Sequence, residues 1–212
     1  MHAAHPDHLV VTAFTLADGV AWVERTLGVS LQNGGEHVRM GTHNALLRLG
    51  PDFYLEVIAV NPAAPKPDRP RWFGMDALHA GSPPRLAGWV VRTNNIAAAV
   101  AASPVDVGPV ESMSRGTLNW LITIPADGRF PLDGVMPTLI EWHTPSHPAA
   151  NLQESACTLH RLQGFHAQAV DIMRSLALIG LQDDILISAP AAGQAPYLRA
   201  EIHTPDGLRV LG

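Results

Sequence analysis

The chain has 212 residues, 47% of them hydrophobic and 16% charged, a balance that suits a globular protein of one large or two small domains with a sizeable core. A formal net charge of −5, from 14 basic and 19 acidic residues with no block of like sign, offers no footprint for nucleic acid or an anionic membrane surface. The single Cys157 excludes an internal disulfide and a cysteine-cluster metal site; with no signal-like leader in MHAAHPDHLVV and no run of membrane-spanning length, a cytoplasmic protein is expected.

In chain order, DHLVVTA (Asp7 to Ala13) alternates as a strand, with His8, Val10 and Thr12 on one face. LADGVAWVERTLGV follows as a helix, because Val20, Val23 and Leu27 recur at helical spacing; Asp18 is the expected N-cap and Gly28 the terminator. Three strands are expected next, over Glu36 to Met40, Asn44 to Leu49 and Phe53 to Val60, the last two joined by a Gly-Pro-Asp turn. The prolines at 62, 65, 67 and 70 then break the rhythm and read as a linker, residues 62–85.

The pattern restarts with the strand LAGWVVRT (Leu86 to Thr93), a short helix in NIAAAVAA, and strands near Val107 to Ser112, Asn119 to Ile124 and Thr138 to Trp142. It restarts again after HTPSHPAANLQE, with CTLHRLQG as strand, Gln168 to Ile179 as helix, and Asp184 to Ser188 and Tyr197 to His203 as strands. This gives three units, residues 6–61, 86–150 and 156–212, the last one strand short. Their ends align as FYLEVIAVNP, TLIEWHTPSHP and LRAEIHTPDG, so Glu56, Glu141 and Glu201 occupy one position in three copies. Chance similarity between apolar strands is the competing explanation, with most force for the shorter third copy.

These residues resemble a known family. DHLVV, GTHNALLRLG, FYLEVI and PTLIEWHTPSHPA look like the glyoxalase-like domain group of the vicinal oxygen chelate superfamily, over roughly Pro6 to Ala150. The resemblance implies an α+β fold of paired βαβββ modules forming a half-open β-barrel around a pocket, with a truncated third βαββ module. It also implies a divalent ion (zinc, nickel, manganese or magnesium), no organic cofactor, and ligands from the first and last strand of each module. His8, Glu56 and Glu141 match three of those positions. Gly88 or Trp89 stands at the fourth, and His143, two residues from Glu141 on the same strand face, is the candidate substitute; a hydrogen-bonded loop role is the alternative for it.

For the remaining candidates, His43 and Asn44 can hydrogen-bond a substrate or serve a turn, and Arg115 can clamp a carboxylate or lie on the surface. Trp120 and Trp142 suit a pocket wall or plain core. His147, before Pro148, reads as a turn residue, and Cys157 as buried filler. Glu201 and His160 are expected to face solvent or a structural hydrogen bond.

Two functions compete. One is a metal-assisted lyase or isomerase acting on a small oxygenated molecule, with Glu56 and Glu141 as catalytic carboxylates. The other is a metal-free binding protein for a small drug-like or antibiotic molecule, favoured by Gly88 and Trp89 at the fourth position. A third, an association scaffold, requires a cleft filled by Trp89, Trp120 and Trp142. The partner in the first two is a small molecule, with room left for a homodimer. No phosphate loop or nucleophile elbow is visible.

Overall fold

The computed structural model describes residues 3–181, 183 and 185–212. Strand β1 (Ala4–Thr12) is followed by helix α1 (Leu16–Leu27), then β2 (Gln32–His37), β3 (Thr42–Arg48) and β4 (Tyr54–Val60). The second set is β5 (Arg85–Thr93), α2 (Ile96–Ala102), β6 (Val110–Arg115), β7 (Leu118–Thr123) and β8 (Thr138–Trp142). Among the described residues the third contains β9 (Thr158–Phe165), α3 (Ala169–Leu178), β10 (Leu186–Ser188), β11 (Tyr197–Thr204) and β12 (Gly207–Leu211). Asp184, expected to open a strand, lies outside the described residues.

Local chemistry accounts for the helix ends. Thr15, rather than Asp18, caps α1: its side chain accepts from the Asp18 backbone N–H, and its hydroxyl donates to the Asp18 carboxylate at 2.6 Å. Asp18 therefore sits inside the first turn, where its negative charge also suits the helix dipole. Gly28 closes the helix in the left-handed conformation, φ 73°, donating to the Glu24 carbonyl at 2.8 Å.

The first two sets share one eight-stranded sheet, ordered β2-β3-β4-β1-β5-β8-β7-β6. Their first strands, β1 and β5, pair antiparallel at the centre, while β1 runs parallel to β4 and β5 parallel to β8. Each set therefore repeats the same internal order, and the sheet curls into a half-open barrel whose edge strands β2 and β6 approach without a ladder. Side chains bridge that seam: Glu111 on β6 takes Arg39 from the turn after β2 and Arg69 from the segment before β5, and Arg39 also donates to the Ser112 carbonyl at 2.9 Å.

Strand alternation divides the apolar residues between two cores. The outward set includes Leu9 and Val11 on β1, Leu55 and Val57 on β4, Trp89 and Val91 on β5, and Leu139 on β8. They join residues of the three helices and the inner face of a second sheet, ordered β10-β9-β11-β12. The concave set includes Val10, Ile58, Val90, Trp120, Ile122 and Ile140. Each fully buried large side chain contributes roughly 1.5–3 kcal/mol. The second sheet carries one strand more than the sequence pattern predicts, because β12 returns through the tight Pro205-Asp206 turn and mixes Leu208 and Val210 with polar neighbours. Its order also differs from the modules, since β10 lies parallel beside β9.

Residues 62–85 fold back over the concave face, where Trp72, Phe73 and Met75 are buried. No helix among the described residues is long and apolar enough to cross a membrane.

Trp89 is wholly buried and its indole N–H donates to the Val135 carbonyl at 3.0 Å. Trp89→Phe keeps most of the packing but strands that carbonyl, so urea unfolding is expected to show a loss of about 1–3 kcal/mol.

Candidate functional site

On β1, Pro6 pairs with Val91 and His8 with the adjacent Val90, so Asp7 is the extra residue of a β-bulge. A bulge re-aims side chains that a regular strand would send to opposite faces, and here Asp7 reaches its own neighbour. Asp7 is fully buried and accepts from His8 Nδ1 at 2.6 Å, Trp142 Nε1 at 2.9 Å and His147 Nε2 at 2.9 Å. Burial pushes its carboxyl up, but the hydrogen bonds from His147 and His8 outweigh burial and hold it far below the usual carboxylate range.

The His8 ring stacks on Tyr54 with centroids 4.5 Å apart, and its Nε2 stands 3.8 Å from Glu56 Oε2. The other Glu56 oxygen accepts from Asn44 Nδ2 at 2.5 Å. Asn44 Oδ1 in turn accepts from the Gly35 backbone at 2.7 Å and from Arg115 NH1 at 3.4 Å. A Cβ on Gly34 would lie 2.0 Å from Asn44 Oδ1, so the Gly34-Gly35 pair lets β2 close on the Asn44 amide. Arg115 also meets His37 Nε2 at 3.3 Å, while His37 Nδ1 lies 3.3 Å from the Thr42 hydroxyl, which accepts from Trp72. Arg115 is half-buried and has no carboxylate partner among the described residues.

Of these groups, His8, His37, Asn44, Tyr54, Glu56, Trp72, Arg115 and Trp142 line a narrow cavity of about 40 Å³, walled also by Leu46, Phe73, Trp120, Ile140 and Pro148. At 10–15 Å³ per water-sized position, it holds roughly three such positions. A ligand that fits it without rearrangement is small.

Of the residues singled out from the sequence, His8, Glu56, Asn44, Arg115 and Trp120 line this cavity and Glu141, His143 and His43 do not. Along β8 the residues facing the cavity are Ile140 and Trp142. Glu141 is sent to the opposite face, where it accepts from the Ile96 backbone N–H at 2.7 Å and pairs with His143 at 2.9 Å. It serves the N-terminus of α2; burial raises its carboxyl, and the bonds from Ile96 and His143 more than reverse this. A one-residue offset in a strand alignment exchanges faces, which is why Glu141 does not converge on Glu56. His43 fails for the same reason, being next to the inward-facing Asn44. Glu201 lies on the far sheet beside Arg199 at 3.3 Å.

The fourth aligned position is filled by carbon. A Cβ on Gly88 would lie 2.3 Å from the Phe130 ring, itself stacked on Phe73 at 4.6 Å. His8 and Glu56 supply two donors, and no group of three His, Cys, Asp or Glu side chains among the described residues is arranged to hold a metal ion. The divalent centre implied by the resemblance does not fit these residues. Nor does the cleft close as an association scaffold requires, because Trp89 packs in the outward core.

Asp7, His37, Trp72 and His147 are site residues that the sequence pattern did not single out. The Asp7-His8 doublet was a usable signal, since both are polar within an apolar strand; His37 lies in the strand expected over Glu36 to Met40, which instead ends at His37 with Val38–Met40 in a 3-10 turn, and Trp72 and His147 lie in segments without periodicity.

Burial lowers the His37 pKa from 6.5 to about 4, with Glu56 opposing and Arg115 reinforcing the shift. The unfolded ring takes up a proton below pH 6.5 and the folded ring only near 4, so stability is full above that window and falls as pH drops through it. The loss is on the order of 3 kcal/mol, and denaturation at pH 7 and pH 4 is expected to show a smaller loss in His37→Gln. Gly88→Ala is expected to cost about 1–3 kcal/mol by overpacking, and less in a Phe130→Leu background.

Comparison with known proteins places this geometry. The glyoxalase-like domain family matches residues 7–179. A crystal structure of a hypothetical protein from Staphylococcus aureus superposes with a TM-score of 0.63 at 14% identity, over 92% of this chain and 88% of that one. Methylmalonyl-CoA epimerase from Mycobacterium tuberculosis gives 0.42 at 16% identity, over 65% and 85% of the two chains. No protein of curated function matches the sequence at a significant level. Likeness at these identities concerns the fold and leaves chemistry to the site. With its paired modules and a family match over most of its length, this chain belongs to the glyoxalase-like domain family.

Proposed function

We propose that the protein is a lyase or isomerase that moves a proton on a small oxygenated carboxylate, using His8 and Glu56 as the acid–base pair and Arg115 as the carboxylate clamp. The observation that carries this reading is the approach of His8 Nε2 and Glu56 Oε2 to 3.8 Å in a cavity whose half-buried guanidinium has no anionic partner among the described residues. A half-buried cation without a counter-ion favours an anionic ligand. Once a carboxylate occupies Arg115, the carbon next to it lies within the space faced by the two bases. One removes a proton and the other returns it or protonates a neighbouring oxygen. The proton transfer is assigned to side chains because Glu141 and the Gly88 position do not join His8 and Glu56.

A second reading, a metal-free binding protein for a small molecule, is favoured by the aromatic wall of Trp72, Phe73, Trp120 and Trp142. The two separate in one experiment. Proton NMR in D2O, with three- and four-carbon 2-hydroxy acids, is expected to show protein-dependent loss of the α-proton signal. Glu56→Gln and His8→Gln lower that rate by about 10²-fold or more; Arg115→Met raises KM. Thermal stabilisation by an acid, dependent on Arg115 but without exchange for any acid, establishes the binding protein instead. Neither exchange nor stabilisation removes the carboxylate reading.

A further inference from the structure

The buried carboxylate of Asp7 has no place in the proton transfer just described, yet three side chains, those of His8, Trp142 and His147, are within hydrogen-bond distance of it. Its donors can be assigned. Trp142 Nε1 is a donor only. The Ala149 backbone N–H donates to His147 Nδ1 at 3.2 Å, so the proton of neutral His147 resides on Nε2 and points at Asp7. Both donors reach the same Asp7 oxygen, Oδ2, while Oδ1 lies 2.6 Å from His8 Nδ1. An ionised carboxylate accepts and never donates; His8 Nδ1 must then carry hydrogen, and proton exchange at His8 is confined to Nε2, the nitrogen facing Glu56.

We infer that Asp7 is a positioning residue that fixes the tautomer of His8, and that His147 and Trp142 hold Asp7 in the orientation this requires. The inference deepens the acid–base reading and rests on it for its catalytic meaning, but the tautomer is a property of the protein alone. It also gives the connector to the third unit a role in the site. His147 belongs to the segment between β8 and β9, whose next turn, Pro148–Asn151, contributes Pro148 to the cavity wall, with Leu152 just beyond. The same segment is tied to β3 beyond it, where Ser155 donates to the Arg48 carbonyl and Glu154 pairs with Arg48 at 2.7 Å.

The substitution Asp7→Asn tests the assignment because the amide is nearly isosteric and has two unlike ends. With Trp142 and His147 both donating to one side, the Asn carbonyl oxygen must face them, which turns its NH2 toward His8 Nδ1. That nitrogen must then accept, and the His8 proton moves to Nε2. Long-range 1H–15N correlation of ring-labelled protein, above the titration of the ring, reads this directly. The expected result is a protonated Nδ1 and a bare Nε2 for His8 in the parent, reversed in Asp7→Asn. For an acid that the parent exchanges, turnover in Asp7→Asn falls at least about tenfold with KM within about twofold, since the Arg115 clamp is untouched.

A parent His8 with its proton on Nε2, or an Asp7→Asn protein with the parent's tautomer, overturns the inference. If Asp7→Asn does not fold, the parent spectrum decides alone, with Trp142→Phe as the second variant, expected to keep the tautomer because His147 still holds Oδ2. A correct tautomer in a protein that exchanges no acid leaves the positioning intact and defeats only the acid–base reading.

Discussion

The two-residue period of the central strands is the constraint on which the rest of this structure depends. β1, β4, β5 and β8 lie side by side in the middle of the curled sheet, and each sends alternate residues to two different interiors. The outward residues, Leu9, Leu55, Trp89 and Leu139 among them, build the large core beneath the helices and second sheet. Their neighbours inherit the concave face whatever their chemistry. This is how His8 and Glu56 come to be buried: Glu56 stands between Leu55 and Val57 and His8 beside Leu9, apolar residues whose burial is strongly favourable, and the strand cannot turn one set inward without the other. Glu141 shows the converse, since Leu139 shares its face and Ile140 and Trp142 take the cavity.

Polar groups forced into such a space must satisfy one another. Asp7 is met by three donors, Glu56 by the Asn44 amide, and Asn44 by Gly35 and Arg115. Arg115 is the exception, held by two neutral groups and by no carboxylate among the described residues. An internal network in which one cation faces neutral partners is a natural receptor for an anion. Neutral His37 beside it avoids a second positive charge and keeps the guanidinium available.

The site departs in two ways from the convergent set of four ligands that the sequence resemblance leads one to expect. Phe130 fills the space that a side chain at residue 88 would need, and the glutamate of β8 serves a helix end instead. The two departures are independent, one steric and one set by strand phase, and together they leave His8 and Glu56 with a bulged aspartate behind them. Residues 62–85, read from their prolines as a linker, contribute Trp72 and Phe73 to the cavity wall, so the connection between modules is also part of the pocket.

Much of this was legible in the residues themselves. Alternating apolar strands and one helical stripe per unit sufficed for the repeated units, because these are local patterns repeated in chain order, and the pairing of those units in an α+β half-barrel was what their family resemblance implied. The inward placement of His8, Glu56 and Asn44 follows from alternation once a single buried neighbour is known. What only the tertiary structure decided was the phase of β8, the bulge that turns Asp7 beside His8, the Phe130 ring against Gly88, and the return of His147 to a strand 140 positions earlier. Strand phase depends on which face finds a core, a bulge on the register of the partner strand, and the last two on contacts between segments that share no local pattern. None of these is encoded within a window short enough for periodicity to report.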